Sequence, residues 1–296
     1  MEARDLLQRF MFEHTAVRGE IAQLDATWKA VLERHDYPPA VRRLLGEMMA
    51  AAALLTATLK FSGALVMQIQ GNGPVSLLVV ECSTDLTMRA VAKWGGETEA
   101  ADAAAATLAE LVGDGRFVIT LDPGEGKTPY QGIVAVEGET VAEVLEHYMA
   151  RSEQLETRLF LAADDERAAG MLLQKMPGVH EDDHDAWNRA VQLGSTLTAP
   201  ELLDLPAHAI VRRLYHEEDV RLFDAAPVCF RCACSFDRVA AVLRMLGREE
   251  VNAALAERGN IEVRCEFCNQ LYVLDAVDVE QLFVTEIIAP AGQTRH

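Results

Sequence analysis

Apolar side chains recur every three or four positions from Val41 through Leu44, Leu45, Met48, Met49, Ala52, Leu55 and Leu59. That is the period of one helix face, so residues 40–60 are predicted to form a core-facing helix whose methionines are packing residues. Downstream the period shortens. Residues 64–70, 76–82, 87–94, 116–121 and 132–136 read as strands, separated by the turn-forming clusters Gly71-Asn72-Gly73-Pro74, Gly95-Gly96 and Asp122-Pro123-Gly124. Strands so close in sequence predict an antiparallel-rich sheet. Thr140 then offers an N-cap, with Glu143 three residues on to complete a capping box, for a helix through Leu145 and Tyr148 towards Gln154. A last strand over 158–162 is expected to close this part of the chain near Pro177 and Gly178. The alanine-rich stretch 100–106 reads as a helix.

From Gly178 to Arg231 the pattern weakens, with ten acidic against five basic residues and four of the chain's eight histidines. Short apolar helices are still visible over 186–193, 199–205 and 207–215, punctuated by Gly194, Pro200 and Pro206. Helices of this length are marginal alone and need a neighbour to pack on. Further on, residues 236–257 read as helical, with Val239, Val242, Leu243, Leu246 and Leu255 supplying a small apolar core. Strand-like segments follow at 261–263 and 271–273. The fold class expected is α+β, in three parts. Residues 1–178 form an antiparallel-rich sheet domain with packed helices, 179–228 a metastable helical linker, and 229–296 a small C-terminal zinc-binding domain.

Charge narrows the partners. The 296 residues carry 46 acidic against 27 basic side chains, a net −19, which repels a phosphate backbone and argues against nucleic acid. No basic stripe accompanies the cysteines either, which disfavours a zinc-ribbon nucleic-acid binder. The first ten residues lack the basic start and apolar stretch of a signal peptide. The longest apolar stretch, 48–59, is bounded by Glu47 and Lys60 and is too short to span a bilayer. A cytoplasmic protein without membrane partners is expected, and in that reducing setting clustered cysteines read as metal ligands or redox groups before structural disulfides.

Two motif matches fail on context. His180-Glu181-Asp182-Asp183-His184 fits H-E-x-x-H, but a catalytic helix of that kind buries one face, and this run is acidic throughout and follows Pro177-Gly178. It reads as a solvated segment. Gly124-Glu125-Gly126-Lys127-Thr128 resembles the end of a P-loop, yet Leu121 stands where the first glycine belongs and a strand follows instead of a helix. A hairpin turn is the better reading.

The cysteines carry the chemistry. Five of six lie in the last quarter, at Cys229, Cys232 and Cys234 and at Cys265 and Cys268. Two thiols on each of two short turns suit a tetrahedral zinc site, and equally a pair of local disulfides. Four thiolates on Zn²⁺ leave no open position for water, so such a site is structural and not hydrolytic. In so small a module the ion contributes on the order of 10 kcal/mol to folding. Thiolates are also what oxidants attack, and Arg231, Arg238 and Arg264 nearby are expected to favour them. Oxidation to disulfide would expel the ion and unfold the module. An alternative is a thiol-disulfide oxidoreductase using Cys265-Glu266-Phe267-Cys268, but strand-like flanks on both sides do not match the strand-to-helix setting of such sites.

C-x-C followed about thirty residues later by C-x-x-C, together with Arg151-Ser152-Glu153-Gln154-Leu155, Thr157-Arg158-Leu159-Phe160, Tyr130-Gln131-Gly132 and Gly71-Asn72-Gly73-Pro74, resembles the Hsp33 family of redox-regulated chaperones across essentially the whole chain. The resemblance implies a non-enzymatic, ATP-independent holdase, inactive while one Zn²⁺ per chain sits on Cys232, Cys234, Cys265 and Cys268. It implies that oxidative stress pairs Cys232 with Cys234 and Cys265 with Cys268, releases zinc and destabilises the linker. The active form is then a homodimer that binds unfolded clients and passes them to ATP-dependent foldase chaperones. Cys229 departs from the pattern, because it creates a second possible pair with Cys232. The reading preferred keeps Cys234 as ligand and Cys229 as an accessory thiol. Cys82, on a predicted strand, is expected to be a small buried apolar residue.

Overall fold

The computed structural model describes residues 4–59, 61–95, 106–124, 127–177 and 185–284, and the chain divides into two compact units, Met1–Arg231 and Cys232–His296. The H-E-x-x-H run, and residues 100–105 of the alanine-rich stretch, lie outside the described residues. The first unit begins with a hairpin that the periodicity did not announce, β1 (Leu6–Phe12) and β2 (Val17–Leu24). Arg18, Glu20 and Gln23 break the apolar run of β2, yet Glu20 and Gln23 are buried, so polar identity concealed a core strand. After α1 (Ala26–Leu32) comes α2 (Pro39–Thr58), the predicted helix, with Pro39 at its start and nearly every residue buried.

Two six-stranded sheets enclose α2 and a shared core that includes Trp28, Leu44, Met48, Leu65, Ile69, Phe117 and Leu172. One sheet joins β3 (Ala64–Gln70), β4 (Val75–Ser83), β5 (Thr87–Trp94), β6 (Arg116–Asp122) and β7 (Tyr130–Ala135), all antiparallel. These are the five predicted strands. Of the P-loop-like run, residues 125 and 126 lie outside the described residues; the strands before and after it, β6 and β7, pair antiparallel. The other sheet runs β10 (Val220–Leu222), β1, β2, β9 (Ala168–Lys175) and β8 (Thr157–Ala163), with β11 (Ala226–Pro227) also paired to β1. Strand β9 is buried on both faces and lacks alternation, which is why its pattern gave no strand signal.

The segments singled out by motif are packing devices. At the β3–β4 turn, a Cβ on Gly71 would lie 2.1 Å from the Val112 carbonyl oxygen at the end of α3 (Leu108–Val112), so only glycine fits. Asn72 Oδ1 accepts the Asp114 N–H at 2.9 Å. A Cβ on Gly132 would lie 2.8 Å from the Tyr148 ring, and the Tyr148 hydroxyl donates to Glu153 at 2.9 Å. Thus Tyr130-Gln131-Gly132 and the Arg151-to-Leu155 segment meet across α4 (Val141–Arg151). That helix stops short of the expectation, since Gln154 has φ 57. Its capping box is also half-made: Thr140 accepts from the Glu143 N–H, but the Glu143 carboxylate takes the Glu139 N–H at 2.7 Å.

The segment expected as a linker lies within the first unit. Its helices α5 (Ala186–Gly194), α6 (Ala199–Asp204) and α7 (Ala207–Tyr215) cover the face of the β1-β2-β9 sheet opposite α2. There Leu202, Ile210, Leu214 and Tyr215 pack on Phe10, Phe12, Ile21 and Leu173. Gln23 reaches into this layer, donating to the Leu205 carbonyl at 2.8 Å and accepting the Ala207 N–H at 3.2 Å. One buried amide therefore serves the end of α6 and the start of α7. After β10 and β11 the chain crosses to the other sheet, where β12 (Cys229–Phe230) pairs parallel with β5. Val228 is buried, and the Arg34 guanidinium lies 4.2 Å from the centre of the Phe230 ring.

The second unit contains α8 (Phe236–Leu246), α9 (Arg248–Arg258), the hairpin β13 (Ile261–Arg264) and β14 (Leu271–Leu274), and α10 (Ala276–Val284). The single helical stretch expected over 236–257 is broken at Gly247, whose φ of 92 ends α8. Val239 and Leu243 enter the core with Val251, Leu274, Val279, Leu282 and Phe283, whereas Val242 and Leu246 are 50% and 56% exposed. Two of the five predicted core residues of this unit therefore face outward, Leu255 packs partly buried against the core, and α10 contributes Val279, Leu282 and Phe283.

Candidate metal centre

Two local structures bring four thiols together. Cys265 and Cys268 sit on the turn between β13 and β14, closed by the Asn269 N–H to the Cys265 carbonyl and the Cys265 N–H to the Gln270 carbonyl, both 2.9 Å. Asn269 takes a left-handed φ of 63, a conformation that asparagine tolerates better than most residues. Cys232 and Cys234 lie on the extended segment before α8, which begins where the Ser235 side chain accepts the Arg238 N–H at 3.3 Å.

The four sulfurs all lie within 4.8 Å of one another, with Cys232 to Cys265 at 3.7 Å and Cys234 to Cys268 at 3.3 Å. Disulfide sulfurs are about 2.05 Å apart, so these are four free thiols. A tetrahedral ion with metal–sulfur distances of about 2.3 Å requires sulfur–sulfur edges of about 3.8 Å. The cage has that size, and its donors are soft and half-buried. The fit is to a closed four-sulfur site.

Burial opposes ionisation of Cys234, but hydrogen bonds from the Tyr272 hydroxyl, at 3.3 Å, and from the neighbouring thiols outweigh it and bring its pKa down to about 7. Burial and the thiols of Cys234, Cys232 and Cys265 push Cys268 up to about 12, although the Gln270 backbone opposes this. Zinc bound at these sulfurs would displace their protons, since the thiolate is the ligand form. Arg264, expected to favour the thiolates, donates instead to the Asn269 carbonyl at 3.3 Å. Tyr272 has the role that was assigned to the arginines. Sequence spacing had placed it on a strand without marking it, since a tyrosine seven residues after Cys265 carries no motif signal.

Cys229 is exposed on β12 and is not among the four clustered sulfurs. Cys82 is buried in β4, where burial pushes its thiol up to about 12, as befits a core residue. The C-x-x-C lies in a strand-turn-strand hairpin and not at a helix start, so it lacks the setting of a dithiol oxidoreductase. Among the described residues no helix is long and apolar enough to cross a membrane.

Fold and site together define an α+β protein in which two antiparallel-rich sheets precede a small unit built on a four-thiol centre. The family model described as Hsp33 protein matches residues 5–275. The chain is 53% identical over 298 residues to the 33 kDa chaperonin of Methylobacillus flagellatus, covering all of both chains. It is 48% identical over 296 residues to the 33 kDa chaperonin of Nitrosococcus oceani, again over the whole of each. The crystal structure of the 33 kDa chaperonin of Thermotoga maritima shares the fold, with a TM-score of 0.82 at 22% identity, over 96% of this chain and 99% of that one. The chain belongs to the Hsp33 family of chaperones.

Proposed function

We propose that this chain is a redox-regulated, ATP-independent holdase. At rest it holds one Zn²⁺ on Cys232, Cys234, Cys265 and Cys268, and it acts in the cytoplasm. The observation that carries this reading is a four-sulfur cage in a unit whose apolar core is small, following directly in sequence a layer of short helices. When bound, the ion supplies the folding free energy that the core of residues 232–284 lacks. Peroxide oxidises the thiols, pairing Cys232 with Cys234 and Cys265 with Cys268; the unit unfolds, and residues 186–215 leave their sheet. The apolar faces of Phe10, Phe12, Ile21 and Leu173 on one side, and of Ile210, Leu214 and Tyr215 on the other, then become available to unfolded clients, with the active form a homodimer. Return to reducing conditions hands the client to ATP-dependent foldases.

The test is light scattering by a thermally unfolding client. Reduced, zinc-bound protein should suppress it weakly, and protein treated with peroxide under mild warming should suppress it strongly. Equal suppression in both states would overturn the proposal, as would robust insulin reduction by the dithiol form, which would restore the oxidoreductase reading.

A further inference from the structure

The four sulfurs are not equivalent. Cys234 receives the Tyr272 hydroxyl at 3.3 Å, a donor from a strand that contributes no thiol itself. The half-buried phenol ring packs against the small core of the unit. A donor fixed in this way occupies a lone pair of the sulfur and withdraws charge from it.

We propose that Tyr272 is a positioning residue that sets the order in which the thiolates meet an oxidant, holding Cys234 back from first attack. This rests on the redox reading above and adds a residue to it. Oxidation starts when a thiolate sulfur attacks one peroxide oxygen; the O–O bond breaks, hydroxide leaves, and the sulfur, having given two electrons, becomes a sulfenic acid. A second thiolate then attacks that sulfur, the S–O bond breaks, and an S–S bond forms as hydroxide departs and is neutralised to water. The hydrogen bond from Tyr272 lowers the nucleophilicity of Cys234 in the first step. Cys234 then enters its disulfide second, after a sulfenic acid, the more reactive electrophile, has formed on a neighbour. The same bond stabilises the anionic four-thiolate centre around a dication, as outer-shell donors do elsewhere, where their loss costs about 10- to 100-fold in metal affinity.

The experiment uses the full chain and its Tyr272→Phe variant, each reconstituted with one equivalent of Zn²⁺. Sub-stoichiometric peroxide is followed by dimedone trapping of sulfenic acid and mass spectrometry of each cysteine, with zinc affinity measured by chelator competition. Wild-type protein should trap sulfenic acid at Cys234 least. In Tyr272→Phe the share at Cys234 should rise about threefold or more and zinc affinity fall about tenfold, with the far-UV circular dichroism of the zinc form unchanged. Equal acceleration at all four cysteines would show a merely structural tyrosine and overturn the proposal. So would an unchanged share at Cys234, or failure of the reconstituted wild type to hold zinc. These readouts are chemical, so a chain without peroxide-induced chaperone activity would sink the proposed function and leave this comparison standing.

Discussion

The sheet formed by β1, β2, β9 and β8 is covered on both faces, and the two covers are built on opposite principles. On one face lies α2, a single helix of 20 residues sealed against a second sheet. On the other lie α5, α6 and α7, of nine, six and nine residues. Strand β9 touches both, since Leu172 points into the core of α2 and Leu173 into the layer of short helices. Beside its apolar contacts the short layer carries ion pairs at its margin: Arg189 to Glu218 and Arg213 to Glu201 within the segment, and Arg167 to Asp204. Exposed pairs of this kind contribute at most about 1 kcal/mol each. On the proposed function the layer of short helices is the removable cover and α2 the permanent one, and the sheet sheds the first while keeping its fold. That is the property a conditional binding surface needs.

The largest effect expected separates the covers altogether. Cys268→Ser removes one donor from the cage, and with structural zinc contributing on the order of 10 kcal/mol the second unit should unfold. Hydrogen exchange should then show residues 186–215 losing protection while 39–58 keep it. Equal loss in both segments would make the two covers one cooperative unit.

Next in size is a pair of truncations. Leu45→Ala, in α2, should lower global stability by about 2–5 kcal/mol in denaturant titrations. Leu214→Ala, in α7, should lower the opening free energy of residues 186–215 by a similar amount while leaving the global midpoint nearly unmoved. A matching fall in global stability from Leu214→Ala would erase the distinction.

The smallest effect concerns Glu20, buried on the α2 side of β2, where the Thr58 hydroxyl donates to it at 3.3 Å. Burial outweighs Arg18, Arg9 and that hydroxyl and raises its pKa from 4.5 to about 7. In the unfolded chain the carboxyl ionises near 4.5, so between about pH 4.5 and 7 the folded state holds a proton that the unfolded state has lost. Stability from this group therefore falls as pH rises through that window, by up to about 3 kcal/mol. Glu20→Gln should raise the melting temperature at pH 8 and flatten its pH dependence between 5 and 7. A variant less stable than wild type at pH 8 would show the carboxylate to be compensated.

The permanent cover was more legible in the chain than the removable one. Strands β3 to β7 were readable because turn clusters separate short β-rich runs, and helix α2 because its large apolar residues keep a three- and four-residue period although nearly all of it is buried. Strands β1, β2 and β9 escaped because Glu20 and Gln23 interrupt the apolar run and because β9 is buried on both faces. Helices α5 to α7 were readable as elements, but nothing in their spacing says which sheet they lie on; Gln23, the residue that ties two of them down, looks like surface. At the centre, spacing offered Cys229, Cys232 and Cys234 beside Cys265 and Cys268 and left open which two of the first three belong together; the fold gathers the sulfurs of Cys232, Cys234, Cys265 and Cys268. Tyr272 and Asn269 stayed hidden because a hydroxyl donor and a left-handed turn residue leave no mark in cysteine spacing.

The short pairings of β10, β11 and β12 make the removable layer a closed loop instead of a tail. It is anchored at Lys175 by β9 and again at Val220 by β10, and beyond that by Val228 and by Phe230 beneath Arg34. While those pairings hold, roughly 45 residues released from the sheet keep both ends pinned, and the entropic cost of bringing such a loop back grows only slowly with its length. Recapture is then a local, first-order event that needs no search, so the resting state re-forms from the same strands it left.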